Sequence, residues 1–240
     1  MHPRIAGRRN RRDEHRLHQP ITARCGRRFW YARTRIPSIH PQVNQKHSIH
    51  LERSMPYDQE QLKALVRKHA LQFGNFTLAS GKQASFYLDC RKVTLHPQGA
   101  NCIAAGLLDL IESSFPGQLP ASVGGLAIGA DPITASIVVH AGQRGLPLLG
   151  FMVRKEAKTH GTGKLVEGPV EPGMSCVIVE DVITSGGSAL KAAESAKDFG
   201  LNVQGIFGVI DRLEGGREAI EQAGYRLATL LTIDDFREST

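Results

Sequence analysis

Acidic, hydroxyl and glycine residues follow one another closely in the second half of the chain. Glu180 and Asp181 come directly after the apolar run 176–179, and residues 184–188, Thr-Ser-Gly-Gly-Ser, would open a helix. Glycine backbone, hydroxyl groups and a helix N-terminus all favour a bound phosphate. Carboxylates would repel that phosphate, so they fit better beside hydroxyl groups or a cation a few ångströms away. The segment predicts a sugar-phosphate site, although an ordinary helix cap after a strand has similar residues.

A second group of residues is cationic. Arg154, Lys155, Lys158 and His160 follow another apolar run, and the glycine-rich stretch 161–168 comes after them. Cations on a loop that closes over a ligand would neutralise a departing polyphosphate group and exclude water. These residues therefore predict a lid over a polyphosphate, and a solvated basic surface loop is the alternative.

Apolar periodicity indicates which elements position these residues. A helix is predicted from Asp58, a hairpin over 76–89 with its turn at 80–82, and a second helix over 97–115. Strands are predicted at 123–128, 148–153, 176–179, 203–210 and 227–233, and further helices at 132–143 and 187–199. This alternation predicts an α/β fold with a mainly parallel, doubly wound sheet, in which ligands bind beyond the carboxyl ends of the strands.

The net charge of +7 is concentrated before Met55. That segment contains thirteen Lys and Arg residues and three Asp and Glu residues, so the rest of the chain has a net charge of −3. Nucleic acid is therefore not expected as a partner of the folded domain. We expect residues 1–54 to be a disordered basic extension and residues 55–240 a single domain. Three interpretations of the extension stay open: a stretch that is not translated, a transit peptide, or a nucleic-acid-binding tail.

The composition is that of a soluble globular protein, with 41% hydrophobic and 22% charged residues. No apolar run approaches the roughly 18 residues that span a bilayer, so no membrane partner is expected. The four cysteines are widely spaced and lack the Cys-x-x-Cys pairs of a zinc site. Reduced thiols in a cytoplasmic protein are the expectation.

Two segments resemble a known family. Residues 177–188, Val-Ile-Val-Glu-Asp-Val-Ile-Thr-Ser-Gly-Gly-Ser, resemble the phosphoribosyl pyrophosphate (PRPP) signature of type I phosphoribosyltransferases. Residues 154–161, Arg-Lys-Glu-Ala-Lys-Thr-His-Gly, resemble the catalytic loop of the orotate phosphoribosyltransferases. The resemblance implies the type I phosphoribosyltransferase fold with a small N-terminal hood, and Mg²⁺ held mainly through PRPP without direct protein ligands. It also implies a homodimer in which the basic loop reaches the neighbouring site.

The same resemblance implies residue roles. Glu180 and Asp181 would hold the ribose hydroxyl groups, residues 184–188 would hold the 5′-phosphate, and Lys158 would be tied most directly to the rate. Lys158 and Asp181 are thus the candidate catalytic residues. The implied PRPP-binding residues are Arg154, Lys155, Lys158, His160, Glu180, Asp181, Val182, Ile183, Thr184, Ser185, Gly186, Gly187 and Ser188.

Orotate carries a carboxylate on a flat ring, so its site needs a cation beside an apolar surface. Arg212 follows the predicted strand 203–210 in a segment similar to the one in which the family places the arginine that meets orotate. Thr184 is a second candidate for this contact. A surface Arg212 paired with Asp211 or Glu214 is the alternative.

The predicted hairpin also bears on the base. Phe86 and Tyr87 resemble aromatic residues of the family's hood that cover the base, or they belong to the core. The chain departs from the family pattern at Ala79 and in the loop 129–133, where many members have a lysine. The pyrophosphate contacts of that loop are left open.

The sequence therefore predicts an enzyme that transfers the 5-phosphoribosyl group from PRPP to orotate. The products would be orotidine 5′-monophosphate and pyrophosphate, in the biosynthesis of UMP and other pyrimidines. A purine or uracil phosphoribosyltransferase is one alternative, against which Arg212 and the basic loop argue. A PRPP-binding regulator that contacts nucleic acid through the basic extension is another.

Overall fold

Helix α1 comes first in the part of the chain that the computed structural model describes, which is residues 56–77, 83–156 and 164–237. It spans Gln59–His69, and the Asp58 side chain caps it by accepting a hydrogen bond from the Gln61 backbone N–H at 3.0 Å. The predicted helix start is confirmed. Every described residue belongs to one compact unit, Ile49–Thr240. The extension predicted at 1–54 lies outside the described residues and stays a prediction.

Strands β1 (Leu71–Thr77) and β2 (Gln83–Leu88) form a separate antiparallel sheet, which is the predicted hood hairpin. The prediction that the first strand begins at residue 76 is wrong, because Leu71 already pairs with Leu88. An irregularity of register between Phe73 and Phe76 accommodates Gly74 within the strand. The predicted turn at 80–82 lies outside the described residues.

The main sheet has six strands in the order β5-β4-β3-β6-β7-β8. All neighbours are parallel except β4 and β5. The strands are β3 (Ser122–Leu126), β4 (Leu149–Val153), β5 (Val166–Glu167), β6 (Ser175–Ile183), β7 (Asn202–Asp211) and β8 (Leu227–Thr232). Every strand predicted for this sheet is present, and β5 escaped prediction because two residues show no periodicity.

Helices cover both faces of this sheet. They are α2 (Arg91–Thr94), α3 (Pro97–Ser114), α4 (Ala130–Gln143), α5 (Gly187–Phe199) and α6 (Gly216–Gln222), with a 3₁₀ turn at Ile233–Phe236. Residues of α1, α3 and α4 pack with Val177 and Phe207 in one apolar cluster. Residues of α5 and α6 pack with Ile178 and Ile206 in a second cluster on the other face. The predicted doubly wound α/β architecture is confirmed.

The helices that follow β3 and β6 lie on opposite faces of the sheet. Helix α4 leads from β3 to β4, whereas α5 leads from β6 to β7 on the other side, so a crevice opens between β3 and β6. These two strands pair only as far as Gly124 and Ile178. The prediction that the latter strand ends at residue 179 is wrong, because β6 stays paired with β7 up to Ile183 and Asp211. Glu180 and Asp181 therefore belong to a strand that borders the crevice.

Membrane spans and cysteines add little to this architecture. Within the described ranges, no helix combines the length and apolar character needed to cross a membrane. Cys90, Cys102 and Cys176 are free thiols and are buried.

Candidate active site

A cavity of about 380 Å³ lies at the crevice between β3 and β6. The loops after β2, β3, β4, β6 and β7 all contribute to its wall. The lining residues comprise Leu88, Asp89, Cys90, Arg91, Leu126, Ala127, Ile128, Gly129, Lys155, Glu180, Asp181, Val182, Thr184, Ser188 and Arg212. Part of each predicted group thus meets at one cavity: five residues of the sugar-phosphate segment, the first lysine of the basic loop and the arginine of the base site, namely Glu180, Asp181, Val182, Thr184, Ser188, Lys155 and Arg212.

The two carboxyl groups of β6 sit against the loop after β3. Glu180 is only 6% exposed, and its Oε2 atom is buried without a hydrogen-bond partner. Asp181 is half-buried, and its Oδ1 atom accepts a hydrogen bond from the Val182 backbone N–H at 2.9 Å. A Cβ atom at Gly129 would lie 3.0 Å from Oδ1 of Asp181 and 3.3 Å from Oε1 of Glu180. Glycine at 129 therefore leaves room for the acids at the cavity wall.

Glu180 titrates far from its ordinary range. Burial is the largest cause and, with hydrogen bonding and repulsion from Asp181, raises the pKa of Glu180 from 4.5 to about 9. The positive charge of Lys155 opposes this shift. Near neutral pH the protonated form of Glu180 is therefore favoured.

The predicted phosphate loop joins β6 to α5. Thr184 and Ser188 line the cavity. The Ile183 side chain is buried in the core, and the Ile183 carbonyl oxygen accepts a hydrogen bond from the backbone N–H of Arg212. Gly186 has a φ of 78°, which favours glycine, and it caps a helix of 13 residues without a side-chain hydrogen bond. The N–H groups of the first turn of α5 are thereby left for a ligand or for water.

The remaining residues of this loop lie beside the cavity wall. Ser185 is exposed. A Cβ atom at Gly186 would approach the Gly216 carbonyl oxygen to 3.0 Å, so the loop packs closely on α6. Gly187 is the first residue of α5. Contacts from these three positions would come mainly from the backbone.

The basic loop is described only at its start. Lys155 lines the cavity, and its carbonyl oxygen accepts a hydrogen bond from Nζ of Lys191 on α5 at 3.0 Å. Arg154 does not line the cavity, and its Nε atom lies 3.1 Å from Oε1 of Glu167 on β5. Lys158 and His160 lie outside the described residues, so their roles stay predictions.

Arg212 is held firmly at the cavity wall after β7. Its guanidinium lies 4.6 Å from the ring centroid of Phe86, and its Nη2 atom lies 2.6 Å from Oε1 of Glu214. The side chain is only 13% exposed, and Nε is buried without a hydrogen-bond partner. The surface-pair alternative is partly correct, because Glu214 is a partner, but Asp211 pairs with Arg217 instead. Pairing with Glu214 does not remove Arg212 from the cavity.

The two aromatic candidates of the hood differ in position. Phe86 is buried in the first apolar cluster and supports Arg212 through its ring. Tyr87 is exposed, and its ring lies 5.9 Å from that of Phe76. Neither residue is among those that line the cavity in this single chain.

Sequence reasoning missed the turn after β2. Asp89 and Arg91 both line the cavity and form an ion pair with 2.8 Å between Nε and Oδ1. Opposite charges two residues apart, directly after a predicted strand, were the available signal. That signal is weak, because such charged pairs are also common on the surface of a protein.

A metal site is not preformed by side chains alone. Among residues 56–77, 83–156 and 164–237, no group of three or more His, Cys, Asp and Glu side chains could hold a metal ion. The carboxyl groups next to the phosphate loop nevertheless fit a ligand that carries its own cation, because they would otherwise repel it.

Comparison with solved structures identifies the class of protein. A phosphoribosyltransferase from Corynebacterium diphtheriae superposes with a TM-score of 0.62 at 31% identity, covering 74% of this chain and 96% of that one. No family model matches the sequence. The fold is that of the phosphoribosyltransferases.

More similar proteins define the family within that class. The orotate phosphoribosyltransferase of Rhodopirellula baltica is 61% identical over 177 residues, which is 73% of this chain and 92% of the relative. Crystal structures of the Mycobacterium tuberculosis H37Rv orotate phosphoribosyltransferase superpose with TM-scores of 0.64 and, in complex with PRPP, 0.59. The first is 37% identical and covers 75% of this chain and 99% of its own chain. The PRPP complex is 34% identical and covers 74% of this chain and 97% of its own chain. The chain belongs to the orotate phosphoribosyltransferase family.

Proposed function

We propose that this chain transfers the 5-phosphoribosyl group from PRPP to orotate, giving orotidine 5′-monophosphate and pyrophosphate. The observation that carries the proposal is the single cavity lined by Asp181, Thr184, Ser188, Lys155 and Arg212. An acid for the ribose, hydroxyl donors for the 5′-phosphate, a cation for pyrophosphate and a cation for the base all lie within it. The family relationship supports the same substrates.

The substrates divide the cavity between them. The 5′-phosphate lies at the N-terminus of α5, where Thr184 and Ser188 donate hydrogen bonds together with the backbone of residues 185–187. Asp181 accepts hydrogen bonds from a ribose hydroxyl group, and protonated Glu180 supports it from the buried side. Lys155 faces the pyrophosphate, with Lys158 and His160 expected to join it. Arg212 binds the orotate carboxylate, and Thr184 lies close enough along the wall to assist.

Catalysis in this scheme is positioning and charge stabilisation. The bond from the ribose anomeric carbon to pyrophosphate breaks as the orotate nitrogen attacks, and positive charge develops on the ribose ring. The Asp181 carboxylate stabilises that charge, while Lys155 and the lid stabilise the negative charge on the leaving group. Mg²⁺, carried mainly on PRPP, supplies further charge neutralisation when bound. The chain needs no covalent nucleophile.

A homodimer completes the site in this proposal, with the basic loop of one subunit reaching the cavity of the other. The position of Arg154 supports it, because within one chain its guanidinium pairs with Glu167 and lies away from the cavity. The chain is expected to act in the cytoplasm, and its three described cysteines are free thiols, as that compartment favours.

The test is the fall in ultraviolet absorbance as orotate is consumed with PRPP and Mg²⁺. Arg212→Ala is expected to raise the KM for orotate by about 10- to 100-fold, since an arginine–carboxylate bond contributes ~1.5–3 kcal/mol. The KM for PRPP should change little.

Arg226→Ala is the matched control, because Arg226 also stacks on a phenylalanine, at 5.7 Å from the Phe115 centroid, but does not line the cavity. The same assay with adenine, hypoxanthine, guanine and uracil as acceptors addresses the alternative bases. Turnover of one of these in preference to orotate would contradict the proposed acceptor.

A further inference from the structure

The turn between β2 and α2 brings a cation to the cavity that the scheme above does not use. Asp89 and Arg91 flank the buried Cys90, and all three line the cavity. Residues 126–129, which line it after β3, are Leu, Ala, Ile and Gly and carry no charged side chain. In the described lining, Arg91 and Lys155 are therefore the cations other than Arg212.

The Arg91 guanidinium is oriented by Asp89. Its Nε and Nη2 atoms donate hydrogen bonds to Oδ1 and Oδ2 of Asp89 at 2.8 and 3.3 Å, a two-pronged pairing that fixes the plane of the group. The Nη1 atom makes no hydrogen bond to any described residue, and the side chain is 60% exposed. Donors thus remain for an anion in the cavity.

The turn that carries this pair is anchored to its surroundings. The Asp89 N–H donates to the Ala70 carbonyl oxygen at 3.0 Å, just after α1. The Cys90 carbonyl oxygen accepts hydrogen bonds from the N–H groups of Val93 and Thr94, both at 2.8 Å. A cation on a fixed backbone is preorganised for a ligand, since little freedom is lost on binding.

Arg91 lines the same cavity as Asp181, the residue proposed to hold the ribose. Hydrogen bonds to Asp89 raise the pKa of Arg91, and the charges of Tyr87 and Asp181 add to this effect. The hydrogen bond from Arg91 in turn lowers the pKa of Asp89, so the pair stays charged. Arg212 is already engaged with Phe86 and Glu214 at the position assigned to the base. The 5′-phosphate is assigned to the N-terminus of α5, so the diphosphate on the anomeric carbon, which carries the most negative charge, is the substrate group that a further cation in the cavity would serve.

We propose that Arg91 binds the diphosphate group of PRPP, and that Asp89 is a positioning residue that holds the Arg91 guanidinium toward it. The proposal rests on the proposed function, because the cavity must take PRPP. Arg91 thereby gives the pyrophosphate group a cation from a fixed turn, in addition to the cations of the basic loop.

The first test is calorimetric titration of Arg91→Gln with Mg²⁺–PRPP, and separately with Mg²⁺–pyrophosphate, without orotate. Loss of a charge-assisted contact should weaken both ligands by about 10- to 100-fold. In steady-state assays the KM for PRPP should rise similarly and that for orotate should not change. Arg91→Lys keeps the charge but cannot bond to Asp89 and phosphate in the same way. Its affinity for both ligands should therefore lie between that of the wild-type protein and that of Arg91→Gln.

Arg237→Gln is the matched control, because Arg237 forms a comparable exposed pair with Asp234 at 2.7 Å and does not line the cavity. It should bind both ligands as the wild-type protein does. Asp89→Asn tests positioning through a double-mutant cycle. As a single substitution, Asp89→Asn should weaken the binding of PRPP. In the Arg91→Gln background it should cause no further loss of affinity, whereas a merely structural role would reduce the affinity by the full amount in both backgrounds.

Two results would overturn the proposal: unchanged binding of PRPP and pyrophosphate by Arg91→Gln, or a rise in the KM for orotate alone, which would place Arg91 at the base. Failure of the proposed function has a different outcome. It would appear as a wild-type protein that binds PRPP but does not consume orotate, and the calorimetric comparison would still decide the role of Arg91.

Discussion

Glu180 and Asp181 are neighbours in β6, yet their surroundings differ. The Glu180 side chain is almost fully covered and leaves Oε2 without a partner, so its protonated form is favoured. Asp181 is half-buried and accepts a backbone hydrogen bond, which suits a carboxylate. Two acids that are alike in the sequence thus differ in burial and hydrogen bonding, and the neutral form is favoured at Glu180.

The raised pKa of Glu180 predicts how stability depends on pH. The folded protein keeps this proton up to about pH 9, whereas an unfolded chain loses it near 4.5. Between these values the folded state binds more protons than the unfolded state, so the free energy of unfolding falls as pH rises. Glu180→Gln should flatten that fall by up to about 1.4 kcal/mol per pH unit.

Urea unfolding of both proteins between about pH 6 and about pH 8 measures this difference in slope. Glu218→Gln is the control, because Glu218 is exposed on α6 and lies outside the cavity. Equal slopes for the wild-type protein and Glu180→Gln would mean that Glu180 is ionised in the folded state. The protonated state assigned to Glu180 would then be wrong.

At the scale of elements, the junction of β6 and α5 sets the geometry of the phosphate end. Pairing with β7 carries β6 to Ile183, and the chain then turns into α5 within the next few residues. The turn depends on Gly186, which combines a φ of 78° with close packing on Gly216 and Ile220 of α6. The loop is therefore shaped in part by its packing on a neighbouring helix.

Gly186→Ala should destabilise the protein through both effects. A left-handed backbone costs an L-residue about 1–2 kcal/mol, and the new Cβ atom would also approach the Gly216 carbonyl oxygen to 3.0 Å. Gly117→Ala is the matched control, because Gly117 has a φ of 75° but no atom near its Cβ position. The free energy of unfolding from urea titration should fall more for Gly186→Ala. Equal losses would show that packing on α6 does not constrain the loop.

At the scale of the whole molecule, the proposed site needs residues of two subunits, and mixed dimers test this. Lys158→Ala and Asp181→Asn should each be nearly inactive alone. If Lys158 serves the neighbouring cavity, a mixed dimer has one site with both defects and one with neither. A co-refolded equal mixture should therefore recover about a quarter of the wild-type activity by random pairing.

The control for this experiment is a mixture of the wild-type protein with the double variant Lys158→Ala, Asp181→Asn. There each mixed dimer has one defect per site, so no mixed dimer should be active. If the mixture of the Lys158→Ala and Asp181→Asn proteins is no more active than either protein alone, each subunit uses its own Lys158. That result would contradict the shared-site arrangement.

The sequence by itself determined the architecture and most of the candidate site. Apolar runs buried on both faces and the helices between them defined a doubly wound sheet, because burial imposes its periodicity locally. The acids of β6 and the glycines at α5 stood out for the same reason: their chemistry is local. Arg212 also carried a local signal, since it follows a buried strand.

Only the tertiary structure decided which charges meet. The pairing of β6 with β7 placed Glu180 and Asp181 inside a strand, and the burial that neutralises Glu180 comes from distant residues such as Gly129. The Asp89–Arg91 pair reaches the cavity because it directly follows β2, whose last residue, Leu88, also lines that cavity. Such contacts join residues far apart in the chain, so their electrostatic consequences have no signal in local sequence.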